Sequence, residues 1–96
     1  MTNGTEKQIA WAEKIRTAWL KDFTSESKSS VRFFHASKLD TTEQWEACFA
    51  QILPLVRDWA MSQEDAIFWI DNQNGISAKA IDALRPEVKR MSAEIA

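Results

Sequence analysis

Six apolar residues set the helical period of this chain. Trp45, Cys48, Phe49, Ile52, Val56 and Trp59 follow one another at spacings of 3, 1, 3, 4 and 3 residues. At about 100° per residue they fall on one stripe of an α-helix. On a strand, whose side chains alternate, the same residues would be divided between both faces. Just upstream, Asp40 with Glu43, or Thr41 with Gln44, supplies a capping box. Pro54 lies inside the stripe. A proline in a helix interior costs about 3 kcal/mol and removes one backbone hydrogen bond. The stripe still keeps its phase from Ile52 to Val56 and Trp59, and Pro54 falls on the polar side, where water can satisfy the freed Ala50 carbonyl. The expectation is one kinked helix over residues 42–61, with Trp45, Phe49, Ile52, Val56 and Trp59 in the core.

The same period recurs on both sides. Thr5 and Gln8 form a capping box ahead of an expected helix over 5–23, and Glu6 suits the positive end of its dipole. Ile9, Ala12, Ile15, Trp19, Leu20 and Phe23 share its apolar face, with Trp19 central and Trp11 at the boundary. Residues 24–30 are serine-rich and read as a loop, and residues 1–4 as a flexible end. Val31 to Leu39 fit either a short helix or an extended segment, and a lone strand would have nothing to pair with. Ser62, Glu64 and Asp65 resemble a helix start before the apolar stretch "AIFWID". Asn74-Gly75 is turn chemistry in which Gly75 can take positive φ. Ser77 is the expected cap of a last helix from 78 to 95. Ile81, Leu84, Val88, Met91 and Ile95 hold one face of it across Pro86, again on the polar side. The fold class is therefore all-α: one small bundle of four or five helices over residues 1–96.

Composition supports this and removes several functions. Two Gly and two Pro are few for many short strands joined by tight turns. The chain is 45% hydrophobic, enough for one modest core. A net charge of −2 offers no global basic field for nucleic acid. The single cysteine, Cys48, excludes an internal disulfide and a cysteine-based zinc cluster. No apolar run reaches the roughly 18 residues of a membrane span. "MTNGTEKQ" lacks the order of a signal peptide. A cytoplasmic protein without membrane partners is expected.

Two stretches, "GTEKQIAWAEKIR" (Gly4–Arg16) and "FWIDNQ" (Phe68–Gln73), resemble segments of small uncharacterised proteins of bacteriophages and bacterial mobile elements. The resemblance implies a bacterial or phage origin and brings no catalytic residue. It also implies that Trp11, Ala12 and Ile15 meet Trp69 and Ile70.

No set of residues here has the pattern of a catalytic site. His35 is the one histidine, and no nucleophile elbow accompanies it. Cys48 sits in the middle of an apolar stripe, where a free cysteine acts as a small hydrophobe. His, Cys, Asp and Glu show no metal-ligand spacing, and the chain lacks the glycines of a phosphate loop. No cofactor and no small-molecule substrate is implied. Two polar features are candidates for partner binding. Asp71 and Asn72, within "IDNQNG", could meet a partner, although finishing the Trp69 helix is their simpler role. Lys7, Lys14 and Lys21 form a row spaced by seven residues, with Trp11 beside it. Phosphate contacts plus one stacking ring would suit single-stranded nucleic acid. Packing of Trp11 against another helix, its rim covered by lysine stems, is the expected arrangement. Five Trp are more than so small a core hides well, so one or two should be presented outward, where Trp is a favoured anchor. The functional expectation is a non-enzymatic module that binds a protein partner or a second copy of itself. A nucleic-acid-binding accessory role for Lys7, Lys14, Lys21 and Trp11 is the alternative.

Overall fold

A computed structural model describes residues 1–25, 39 and 41–95. They form four helices: α1 (Glu6–Ser25), α2 (Thr42–Ser62), α3 (Ala66–Asp71) and α4 (Ile76–Ile95). No β-strand occurs among the described residues, so the all-α expectation holds. The segment 31–38 and His35 lie outside them.

Local chemistry sets most helix ends. At α1, Thr5 N–H donates to Gln8 Oε1 at 2.9 Å, and Gln8 N–H donates to Thr5 Oγ1 at 3.2 Å. At α2 the capping box is Thr41 with Gln44, with reciprocal bonds of 3.1 Å. Each box satisfies two backbone donors that a helix start leaves open. Both interior prolines are accommodated without dividing their helices, because Pro54 and Pro86 are exposed.

Several details differ from expectation. Helix α1 runs on to Ser25, so Thr24 and Ser25 are not loop. The Thr24 hydroxyl donates to the Leu20 carbonyl at 2.6 Å and helps close this last turn. Helix α3 is capped by Asp65, whose Oδ1 accepts from Ile67 N–H at 2.9 Å, while Ser62 ends α2. Helix α4 starts at Ile76, with the Gly75 carbonyl accepting from Lys79 N–H. Ser77 therefore lies inside the first turn and caps nothing; its hydroxyl accepts from the Trp19 indole N–H at 2.9 Å. Gly75 does not use positive φ, because the chain passes from α3 to α4 through consecutive turns. Residues 1–4, expected as a free end, are tied down. Thr2 N–H donates to the Glu64 carbonyl, and Ala66 N–H donates to the Thr2 carbonyl. Gly4 lets this segment approach: a Cβ there would lie 3.3 Å from the Ala66 Cβ and 3.1 Å from the Gln8 Cβ.

The core has two parts, joined by Trp19 and Leu20. One gathers Phe23, Leu39, Cys48, Ile52, Val56, Ile81, Val88 and Met91. The other gathers Ala12, Ala60, Ala66, Trp69 and Ile76, with Met1 packed against it. Helix α1 packs chiefly on α3, and α2 on α4. Because Trp19, late in α1, bonds to Ser77 at the start of α4, the two long pairs are offset along the molecule. The molecule measures 47 Å in length against widths of 22 and 19 Å, more than the length of a 21-residue helix, which is about 32 Å. Trp69 is fully buried at the hub, with ring centroids 6.1 Å from Trp19, 6.2 Å from Trp59 and 5.5 Å from Phe68. In α2, Cys48, Ile52 and Val56 are buried as expected. Trp45, Phe49 and Trp59 are only half-buried, and they pack against the rim of the core without entering it.

Candidate functional site

Among the described residues, helix α1 is covered on one side only. Ala12 and Phe23 are buried, with Ile9, Ile15, Trp19 and Leu20 half-buried around them. The opposite arc carries Lys7, Ala10, Trp11, Lys14, Thr17, Ala18 and Lys21, all exposed. Successive lysines of the row are seven residues apart, so it runs about 21 Å along the helix at 1.5 Å per residue. Ala10 and Thr17 lie on one side of it and Trp11 and Ala18 on the other. Glu6 and Glu13 form the far edge, also exposed. A shallow groove of about 470 Å³ runs along this surface, lined by Ala10, Glu13, Lys14, Thr17, Ala18 and Lys21.

Trp11 departs from its expected packing. It is 48% exposed and belongs to neither core cluster. The reason is angular. Trp11 sits about 100° around the helix from Ala12, and α3 has only six residues with which to cover α1. Of the implied contacts, Ala12 and Ile15 do share a cluster with Trp69 and Ile70, whereas Trp11 does not. The indole is thus offered to solvent with Lys7 one turn before it and Lys14 one turn after it on the helix.

Asp71 and Asn72 do not join this surface. They end α3, which packs on the buried side of α1. Asn72 completes that end: its backbone N–H and its Nδ2 both donate to the Phe68 carbonyl, the latter at 2.8 Å. The side chain of Gln73 bonds to the Ile70 carbonyl in the same way. Asp71 is exposed.

Cys48 is fully buried, and burial pushes its thiol up from the ordinary value, away from the reactive thiolate. No group of His, Cys, Asp and Glu among the described residues is placed to hold a metal ion. No described helix is long and apolar enough to cross a membrane. Sequence reasoning reached the lysines, Trp11 and Ala18 beside them, but passed over Ala10 and Thr17. Their signal was small size in register with the lysines, which matters only once that face is seen to be uncovered.

The chain matches no family model, no curated protein and no solved structure.

Proposed function

We propose that this protein is a non-enzymatic interaction module, of phage or mobile-element origin, that binds a protein partner through the outer face of α1. The carrying observation is Trp11, a large aromatic ring left 48% exposed beside a row of lysines. Trp is enriched among interface residues that dominate binding energy. It also costs little side-chain entropy to fix. Lysine stems can lie along an apolar partner while their ammonium groups stay hydrated.

Single-stranded nucleic acid is the second reading, favoured by the same exposed ring. Its electrostatics are weaker. Three lysine–phosphate contacts give a salt slope of only about −2. Glu6 and Glu13 border the row, and the whole chain carries −2. The test is affinity capture from bacterial lysate with the wild-type chain and Trp11→Ala, each with and without nuclease. A protein retained after nuclease treatment and lost with Trp11→Ala is the expected result. Equal capture by both chains, or capture that nuclease abolishes, overturns the reading.

A further inference from the structure

We propose that the outer face of α1 receives an acidic amphipathic α-helix, packed lengthwise in heptad register; this rests on the reading of that face as the binding surface. The seven-residue spacing of Lys7, Lys14 and Lys21 is the repeat by which two helices keep one seam together. With the lysines at position a, Ala10 and Thr17 take position d. Trp11 and Ala18 take e, and Glu6 and Glu13 take g. Ala12 and Trp19 take f, directly behind the seam, and both turn into the protein's own core. The a/d seam is thus the line that faces squarely outward.

Side-chain size suits a helix. Ala10, Thr17 and Ala18 line the groove together with Glu13, Lys14 and Lys21. Small residues allow a second helix to approach to about 8–10 Å between axes. Trp11, standing at the edge, is placed to close over the partner's flank.

Charge selects which helix. A second copy of α1 is a poor occupant in either direction. Laid parallel, it opposes lysine to lysine along position a. Laid antiparallel, it opposes Glu6 and Glu13 to the same glutamates along position g. A helix with Glu or Asp at every seventh residue instead meets each lysine with a carboxylate. A neighbouring Lys or Arg row on that helix meets Glu6 and Glu13. Charges at these positions choose the partner and its orientation.

The experiment uses the full chain and a synthetic helical peptide of about three heptads. The peptide has Glu at every seventh position, Ala along the seam, Leu facing Trp11, and Lys facing Glu6 and Glu13. A peptide of the same composition in scrambled order is the control. Amide NMR shifts are followed at low and physiological salt. Expected are saturable shifts concentrated in residues 7–21. The scrambled peptide and the triple variant Lys7→Gln, Lys14→Gln, Lys21→Gln should each bind about tenfold more weakly, three exposed ion pairs at up to 1 kcal/mol each being lost. Equal binding of the ordered and scrambled peptides overturns the proposal. So do shifts located elsewhere, concentration-dependent shifts of the same amides without peptide, or displacement of the peptide by an oligonucleotide. The capture experiment separates the two levels. A partner lost with Trp11→Ala alongside a failed peptide titration refutes the acidic helix alone. Equal capture by both chains refutes the binding face itself.

Discussion

Replacing Trp69 by alanine removes the ring around which α1, α2 and α3 meet. Trp69 is fully buried, and its indole N–H donates to the Gln63 carbonyl at 2.8 Å. A buried Trp takes about 150–250 Å² out of water, worth about 4–6 kcal/mol at 25 cal/mol per Å². Residual burial in the unfolded chain lowers this by about 10–40%. Losing the indole donor adds about 1 kcal/mol. The expected cost is therefore about 4–5 kcal/mol, at the upper end for aromatic truncation. A 96-residue domain has about 5–14 kcal/mol in total, so the variant should be marginal. Urea denaturation followed by circular dichroism reads the effect. With a slope of about 1–2 kcal/mol per molar, the midpoint should fall by about 2–5 M. Trp11→Ala is the control and should change stability by no more than about 0.5 kcal/mol. A midpoint shift under about 1 M for Trp69→Ala, or equal shifts for the two variants, would refute the placement of Trp69 at the hub.

Cys48 should react slowly with a thiol reagent in the native protein and rapidly after unfolding, because burial both shields the thiol and raises its pKa; immediate native-state labelling would place it at the surface. On α4, Arg90 hydrogen-bonds Glu87 and, at 2.9 Å, Glu94. The hydrogen bond from the Arg90 guanidinium, followed by its charge, holds the solvent-exposed Glu87 carboxyl below the ordinary glutamate value. A carboxylate lowered on folding stabilises the fold above its unfolded-state pKa and loses that contribution as pH falls through the folded-state value. The urea midpoint of wild type should exceed that of Glu87→Gln by more at neutral pH than in acid, and a pH-independent difference would count against the Arg90 contact.

The candidate face was legible in part. The lysine row and the position of Trp11 beside it follow from 100° per residue alone. Whether anything covers Trp11 does not, since a periodic pattern gives an angle around one helix and says nothing of what lies across it. The same holds for Asp71 and Asn72. Their polarity allowed either a surface for partners or the simpler role of finishing the helix, and the Asn72 bonds to the Phe68 carbonyl show that this residue takes the second.

By itself the sequence determined the helical period, the capping box at Thr5, a second box at either Asp40 or Thr41, and the solvent-facing placement of Pro54 and Pro86. These depend on residues within one or two turns, where side-chain and backbone groups find each other without the rest of the chain. Only the tertiary structure decided the offset between the helix pairs, the split core, and the docking of Thr2 against the turn before α3. It also decided that Ser77 accepts from Trp19 across 58 residues instead of capping its own helix. A hydroxyl close to a helix start is a cap by local rules. Burying an indole N–H against it makes the distant bond the one that counts, because a buried donor left without a partner costs more than a helix start that water can reach.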